Sequence, residues 1–219
     1  MLGGFSVEFL TIALPKGRIL DESLDLLREA GIDCGNINED SRKLIFVSDK
    51  SNIKFILAKP FDIPTYVEYG VADLGIVGKD ILLEEPRDVY ELLDLKLGYC
   101  RIVVAGPRGK KEYPAHLRVA TKFPRITEKY FIEKGRQVEV IKLNGSVELA
   151  PIIGLADKIV DIVSTGTTLK ENNLVELEQI AEITARLIGN KVSFRLKAPR
   201  IDELIKGINN IIERGEKDA

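Results

Sequence analysis

The sequence predicts an α/β fold of two lobes with mainly parallel sheets. Apolar segments of strand length alternate with amphipathic helical segments along the chain, and this alternation is typical of sheets covered by helices. A helix-to-strand motif also occurs twice at equivalent points of the two halves. The 219 residues, 45% of them hydrophobic and 30% charged, are sufficient for one large or two small domains.

The elements of the first half follow from hydrophobic periodicity and from the glycines that end the helices. Strands are predicted at 9–13, 44–47, 53–58, 74–77 and 97–105. Helices are predicted at 19–30 and 64–69 and end before Gly31 and Gly70, since glycine readily takes the left-handed conformation that closes a helix.

The second half repeats the pattern. Strands are predicted at 118–121, 138–142 and 159–163, helices at 126–134 and 147–153, strand character over 174–188, and a last helix at about 201–213. That last segment carries a single apolar stripe at helical spacing, which predicts packing against a core.

The repeated motif is Gly-x-Ala-Asp, at 70–73 and 154–157, and each copy is followed by an apolar strand and a loop containing glycine. Chance is one explanation, because this tetrapeptide is a common helix-to-strand turn. Its equivalent position in each half favours two similar lobes facing each other across a cleft, where loops at the carboxyl ends of strands bind ligands. Asp73 and Asp157 are expected to cap the turns.

Composition excludes several classes of protein. Thirty-two Lys and Arg oppose 34 Asp and Glu, a net charge of −2, so neither a nucleic acid nor a membrane is expected as a partner. The amino terminus lacks the basic start of a secretory signal, which predicts a cytoplasmic protein. Two separated cysteines and the single His116 argue against a disulfide framework, a zinc enzyme and a Ser-His-Asp hydrolase.

The strongest functional signal is a hydroxyl-rich loop that directly follows the strand at 159–163. It consists of Ser164, Thr165, Gly166, Thr167 and Thr168. Hydroxyls, backbone N–H groups and a glycine that permits close approach are what an anion-binding loop requires. The alternative is an ordinary strand–helix turn in which Ser164 or Thr167 is an N-cap.

Two carboxylates accompany this loop. Asp161, near the end of the strand, is placed to hold a sugar hydroxyl or a magnesium ion. Glu148 lies in the first turn of the preceding helix, where a carboxylate suits either the helix dipole or a ribose hydroxyl. Together with the loop, they indicate a phosphorylated sugar or a nucleotide.

Basic residues mark the first half. Lys16, Gly17 and Arg18 lie between the first strand and the first helix, where positive charge and free N–H groups bind anions. Lys59 follows a strand and should point toward the cleft, whereas Arg42 precedes a strand and its access is less clear. The alternative for the four basic residues is that they form an ordinary solvated surface.

Three blocks together resemble the short form of ATP phosphoribosyltransferase, the first enzyme of histidine biosynthesis. They are ALPKGRI at 13–19, DIPTYVEYGVADLGIVGKD at 62–80, and a signature of fixed spacing. The signature residues are Glu148, Gly154, Asp161, Thr165, Gly166, Thr168 and Leu169. The resemblance covers nearly the whole chain from about Leu10.

The resemblance implies a fold like the type II periplasmic binding proteins, with lobe I formed by 1–96 plus 185–219 and lobe II by 97–184. It implies attack of ATP N1 on C1 of phosphoribosyl pyrophosphate, giving N1-(5-phosphoribosyl)-ATP and pyrophosphate, with Mg²⁺ required. It also implies a regulatory subunit similar to a histidyl-tRNA synthetase in a hetero-octamer. Adenine N1 carries no proton to remove, so positioning and electrostatics suffice for catalysis without a histidine.

Residue roles follow from the same resemblance. The 164–168 loop would bind the 5-phosphate, and Asp161, with Glu148, the ribose hydroxyls. Lys16 and Arg18 would face the pyrophosphate or the ATP phosphates, with Arg42 and Lys59 on the ATP side. The family carries arginine where this chain has Lys59, so a point charge replaces a bidentate fork.

Two other functions fit the same pattern. One is a non-catalytic, two-lobed solute-binding or sensor protein for a phosphorylated ligand. The other is a different cytosolic transferase on the same architecture. Two anion-binding loops in separate lobes favour an enzyme with two phosphorylated substrates, since a solute binder needs only one.

Overall fold

The computed structural model describes residues 9–38, 42–110 and 112–218. Eleven strands occur in these ranges: β1 (Leu10–Pro15), β2 (Ile45–Ser48), β3 (Ile53–Ala58), β4 (Leu74–Gly78), β5 (Tyr90–Asp94), β6 (Cys100–Pro107), β7 (Leu117–Thr121), β8 (Val138–Lys142), β9 (Lys158–Val163), β10 (Leu174–Ile183) and β11 (Ala185–Gly189). The helices are α1 (Leu20–Glu29), α2 (Ile63–Glu68), α3 (Lys79–Glu84), α4 (Pro124–Glu133), α5 (Leu149–Ile152), α6 (Thr167–Glu171), α7 (Lys191–Leu196) and α8 (Ala198–Asp218). A 3₁₀ turn covers Pro60–Asp62. No helix in the described ranges has the length and apolarity that a membrane span requires.

The chain divides into two compact units. The first comprises Met1–Leu82, Pro86–Gly98 and Thr184–Ala219, and the second comprises Leu83–Glu85 and Tyr99–Ile183. Each unit contains one sheet, with strand order β2-β3-β1-β4-β11-β5 in the first and β10-β6-β9-β7-β8 in the second. The predicted α/β class is confirmed.

The sheet of the first unit is covered on both faces because side chains of a strand alternate in direction. On one face, apolar residues of α1 and α8 such as Leu24 and Ile208 pack with Ile12 of β1. On the other face, Ile63 and neighbouring apolar residues of α2 and α3 pack with Ala13, the next residue of β1. The sheet of the first unit therefore lies between two helical layers.

The core of the second unit lies under the 164–168 loop. Val103 of β6 and Ile159 of β9 form a buried cluster with Val147 and Ala150 at α5 and with Leu169 of α6. Leu169, the residue that directly follows the loop, is 5% exposed, so it anchors the end of the loop to this core.

The repeated Gly-x-Ala-Asp motif has the same structural role in both units. The Asp73 carboxylate accepts from the Thr11 N–H at 2.8 Å, while the Asp73 N–H donates to the Thr11 carbonyl. The Asp157 carboxylate accepts from the Arg118 N–H at 3.1 Å, and the Asp157 N–H donates to the Arg118 carbonyl. Each aspartate thus fastens the start of one strand to its neighbour, as expected for a turn-capping residue.

Parallel pairing is less extensive than the alternation predicts. Parallel ladders join β3, β1 and β4 in the first unit, and β9, β7 and β8 in the second. The remaining pairs are antiparallel. They arise from the β2–β3 hairpin and from β5, β6, β10 and β11, where the chain passes from one unit to the other.

Several element boundaries also differ from the prediction. The segment with predicted strand character over 174–188 forms two strands, β10 and β11, which belong to different sheets and meet at Thr184. Strand β5 and helices α3 and α7 were not predicted, and α5 is shorter than the expected 147–153 helix. Apolar periodicity continues across Thr184 because both sides are strands, so the pattern carries no signal for the change of sheet.

Candidate functional site

The 164–168 loop joins β9 to α6 and presents its hydroxyls to solvent. Ser164, Thr165, Thr167 and Thr168 are all exposed, and the hydroxyls of Thr165 and Thr167 lie 3.0 Å apart. Gly166 is the N-cap of α6 at φ 77°, and the Thr167 N–H donates to the Thr165 hydroxyl at 3.5 Å. The alternative in which Ser164 or Thr167 is the N-cap is therefore wrong.

The backbone of this loop has free donors. Within the described ranges, the N–H groups of Thr168 and Leu169 have no hydrogen-bond acceptor. The first N–H groups of a helix need an external partner. Exposed hydroxyls beside these N–H groups form a pocket of donors suited to an anion.

Asp161 lies within β9 and accepts a hydrogen bond from the Ile162 N–H at 2.8 Å. The pKa of this carboxyl is raised from 3.8 to about 6, chiefly by burial and also by the negative charge of Glu148, while the Ile162 N–H and Lys122 lower it. Glu148 stands at the N-cap position of α5 without capping it through its side chain. The structure thus brings together the two carboxylates that the sequence predicts for this site.

Lys122 was not predicted and belongs to the same group. Strands β7 and β9 are parallel with Thr121 opposite Val160, so Lys122 continues β7 beside Asp161. Its influence on the Asp161 pKa is consistent with that position. Lys122 could have been suspected because it is a basic residue directly after a buried strand. The sequence alone does not show which strands are neighbours, so it does not place Lys122 beside Asp161.

Arg101 and Glu176 border the loop and were also not predicted. Arg101 lies opposite Val163 in the β6–β9 ladder, and its guanidinium contacts both carboxylate oxygens of Glu176 at 2.9 and 3.2 Å. A Cβ on Gly166 would lie 3.5 Å from Glu176 Oε1. This ion pair therefore lines the side of the loop that Gly166 leaves open.

In the first unit, basic residues gather at one edge of the sheet. Strands β1 and β3 are parallel with Pro15 opposite Ala58, so Lys16 and Lys59 continue neighbouring strands. The Lys16 N–H donates to the Ala58 carbonyl at 2.8 Å. Strand β2 is antiparallel, with Ile45 opposite Ile56, so the exposed Arg42 before β2 reaches this same edge.

Gly17 and Arg18 complete the turn between β1 and α1. Gly17 adopts φ 101°, a conformation that a residue with a side chain rarely takes. Arg18 is exposed, and its Nη2 donates to the Gly98 carbonyl at 3.1 Å. Arg18 is thus partly engaged within its own unit, while Lys16 remains beside Lys59.

Two α/β units, each with donor groups or cations at the carboxyl ends of parallel strands, have the architecture of a two-lobed binding fold. A solved substrate binding protein of an amino acid ABC transporter resembles the chain with a TM-score of 0.58 at 14% identity, over 96% of both chains. This similarity supports the predicted periplasmic-binding-protein-like fold and no more than the fold.

Closer similarities define the family. The ATP phosphoribosyltransferase family (HisG) matches residues 59–210. An ATP phosphoribosyltransferase from Halalkalibacterium halodurans is 57% identical over 94% of this chain and 98% of that protein. One from Geobacillus sp. (strain WCH70) is 59% identical over 93% and 98%. A solved ATP phosphoribosyl transferase (HisG:HisZ) complex from Thermotoga maritima has a TM-score of 0.81 at 39% identity, over 94% of this chain and 99% of that chain.

The chain belongs to the ATP phosphoribosyltransferase family. It is an enzyme of histidine biosynthesis that transfers the phosphoribosyl group from phosphoribosyl pyrophosphate to N1 of ATP and releases pyrophosphate. The predicted family, fold class and enzymatic function are confirmed, and the alternative of a non-catalytic solute-binding or sensor protein is not supported.

Proposed function

We propose that the 164–168 loop binds the 5-phosphate of phosphoribosyl pyrophosphate during this transfer. The supporting observation is the set of exposed hydroxyls beside N–H groups that have no acceptor in the described ranges. Gly166 at φ 77° contributes no side chain, so a phosphate oxygen can approach the main chain closely. Neutral donors of this kind bind a phosphate without a lysine in the loop.

Asp161 and Glu148 would hold the ribose hydroxyls. Asp161 lies in β9, shortly before the loop begins at Ser164. A sugar that binds its phosphate in the loop carries its hydroxyls a few ångströms away. An ionised carboxylate is the stronger acceptor for such hydroxyls. Because burial raises the Asp161 pKa to about 6, we expect sugar binding to weaken as the pH falls below that value.

Lys16 and Arg18, with Gly17, would neutralise the leaving pyrophosphate, and Arg42 and Lys59 would bind the ATP phosphates. Support comes from the edge that Lys16, Lys59 and Arg42 share at β1, β3 and β2. In the reaction, the lone pair of adenine N1 forms a bond to C1, and the C1–O bond to pyrophosphate breaks with its electrons leaving on oxygen. Cations beside that oxygen lower the barrier, and losing one such donor typically costs about 10²–10³ in rate.

Mg²⁺ is proposed as the cofactor. In the described ranges no group of three or more His, Cys, Asp or Glu residues is placed to hold a metal. Mg²⁺ is usually bound by one or two carboxylates together with substrate phosphates, and Asp161 and Glu148 provide two carboxylates. When bound, the ion would add positive charge to the pyrophosphate.

We further propose that the enzyme works in the cytoplasm with a separate regulatory subunit. The related protein from Thermotoga maritima was solved as a HisG:HisZ complex, which supports a hetero-oligomer for this chain as well. A hetero-octamer with a subunit similar to a histidyl-tRNA synthetase remains the expected assembly. Its stoichiometry can be measured by light scattering on the co-purified complex.

The loop assignment is tested with steady-state kinetics. Product formation is followed by absorbance near 290 nm with ATP, phosphoribosyl pyrophosphate, Mg²⁺, pyrophosphatase and the partner subunit. Thr165→Ala and Thr168→Ala should raise KM for phosphoribosyl pyrophosphate much more than KM for ATP, because their hydroxyls contact only the sugar phosphate. Ser51→Ala, a hydroxyl deletion elsewhere in the chain, is the control, and equal losses for both substrates would show that the loop is misassigned.

A further inference from the structure

A cavity of about 740 Å³ lies at the opposite edge of the second sheet from the 164–168 loop. Its wall includes Leu117, Val138 and Lys158, which are the first residues of β7, β8 and β9. The cavity is thus at the amino ends of these parallel strands. Strand β9 separates it from the loop by six residues, which is about 20 Å of chain, and nothing in the transfer reaction uses it.

Lys158 is the unusual residue of this cavity. It is 5% exposed, and lysine is almost never buried to that extent unless it is paired. Within the described ranges no carboxylate forms an ion pair with it. Its ammonium instead lies 4.3 Å from the centroid of the Tyr113 ring, a cation–π contact that compensates only part of the lost hydration.

The acidic residues near Lys158 are already engaged. Glu178 accepts hydrogen bonds from Tyr130 at 2.7 Å and from Lys134 at 3.2 Å. Asp157, the preceding residue, pairs with Lys110 at 3.4 Å and accepts from the Arg118 N–H. Glu178 attracts Lys158 only at longer range, and neither carboxylate forms an ion pair with the Lys158 ammonium in the described ranges.

A second cation points to the same conclusion. Arg136 also lines the cavity. Burial lowers the pKa of Lys158, the negative charge of Glu178 raises it, and the positive charge of Arg136 lowers it. Two like charges beside one cavity repel each other unless an anion lies between them. The hydroxyl of Tyr113, in the same wall, is buried without a hydrogen-bond partner in the described ranges, so the wall is polar as well as cationic.

We propose that this cavity binds a small organic anion, with its carboxylate or phosphate group between Lys158 and Arg136. The remaining wall includes Pro114, Leu117 and Val138, which suits an apolar or aromatic body on the ligand. Sites for small molecules have this combination of a few polar groups and apolar walls, in a volume of about 300–1,000 Å³. The site is distinct from the substrate site because it lies at the other end of β9.

Isothermal titration calorimetry on the full chain tests the proposal with three probes that share a phenyl ring: phenyl phosphate, benzoate and the neutral benzyl alcohol. At least one anion should bind at a single site, and the alcohol should bind more weakly than that anion. The stronger of the two anions identifies the head group. Saturating phosphoribosyl pyrophosphate should leave the binding unchanged.

Variants locate the site. Lys158→Met, which keeps an unbranched side chain of similar length, should weaken anion binding by about tenfold or more, the loss of one charge-assisted hydrogen bond. Arg136→Gln should weaken it as well, and because Arg136 is exposed this variant keeps the test usable if Lys158→Met fails to fold. Lys129→Met removes an exposed lysine of α4 and should bind like the unaltered chain.

Four results would overturn the proposal. They are no binding of either anion in the millimolar range, equal binding of benzyl alcohol, unchanged binding in both Lys158→Met and Arg136→Gln, and displacement of the probe by phosphoribosyl pyrophosphate. The last result would mean that the probe occupies the 164–168 loop, which leaves the loop assignment intact while removing the second site.

Discussion

Replacing Asp161 with asparagine should stabilise the protein at neutral pH, although it removes a proposed substrate ligand. Burial is the largest cause that raises the Asp161 pKa from 3.8 to about 6. At about 1.4 kcal/mol for each tenfold change in ionisation, this rise corresponds to about 3 kcal/mol of cost for the buried charge. Asparagine carries no charge and still accepts the Ile162 N–H.

The pH dependence gives the sign of the effect. Between the ordinary value of 3.8 and the raised value of about 6, the folded state retains a proton that the unfolded state has lost. Stability therefore falls as the pH rises through this interval. Of the total cost of about 3 kcal/mol, about 2 kcal/mol of unfolding free energy should be lost as the pH rises from about 4.5 to about 8.

Urea unfolding of the unaltered chain and of Asp161→Asn at these two pH values measures the effect. The stability advantage of the variant should grow by about 2 kcal/mol from the acidic to the alkaline sample, and turnover should fall sharply at both. Taking the difference between the two proteins cancels other titrating groups. An advantage that is the same at both pH values would refute the reasoning that Asp161 is destabilised by its buried charge.

Asp157→Asn is the matched control, with the opposite sign. Burial raises its pKa, but the Arg118 N–H and Lys110 outweigh burial and hold the pKa of Asp157 below its ordinary value. The stability that this carboxylate contributes is present above its unfolded pKa and is lost as the pH falls. Both samples lie above the ordinary value of 3.8, so Asp157→Asn should cost stability by nearly the same amount in each, and a variant more stable than the unaltered chain would contradict the assignment of these contacts.

Three further predictions concern single residues. Gly166→Ala places a side chain at φ 77° and should cost about 1 kcal/mol in unfolding free energy. It should also raise KM for phosphoribosyl pyrophosphate, and an unchanged KM would show that the loop does not bind that substrate. Lys59→Arg should lower KM for ATP severalfold, because a guanidinium that can bind a phosphate through two N–H groups replaces a point charge, and it should leave KM for phosphoribosyl pyrophosphate unchanged. Equal changes in the two KM values would show that Lys59 does not bind ATP specifically. Asp73→Asn removes the buried Asp73 carboxylate, which lies 3.0 Å from the ammonium of the half-buried Lys197, and should cost about 3 kcal/mol in urea unfolding. A loss below about 1 kcal/mol would show that water replaces the pair.

The sequence was a reliable guide wherever a local pattern has one structural meaning. The 164–168 loop follows a buried strand as predicted, because β-branched apolar runs and a hydroxyl-rich turn differ sharply in composition. The two Gly-x-Ala-Asp motifs fasten equivalent strands, because each motif carries its own turn geometry and its own acceptor. In both cases the residues that form the pattern lie close together in the chain, although the strand residues that the two aspartates fasten lie 62 and 39 residues earlier.

Local pattern was a poor guide where pairing decided the outcome. Arg42 was of uncertain access until the antiparallel β2–β3 pairing placed it at the edge that holds Lys59. Lys122 went unnoticed because only the β7–β9 ladder brings it beside Asp161. The division of the 174–188 segment into β10 and β11 carries no local signal, because strand-like apolar residues continue on both sides of Thr184.

By itself, the sequence determined the fold class, the family and the chemistry of the loop, because these depend on residue types at fixed spacing. Only the tertiary structure decided which charges meet, since strand order and direction are set by long-range packing. It buried Asp161 beside Glu148, and it left Lys158 in a cavity without a carboxylate partner in the described ranges. Both residues owe their properties to desolvation, which depends on neighbours distant in the chain.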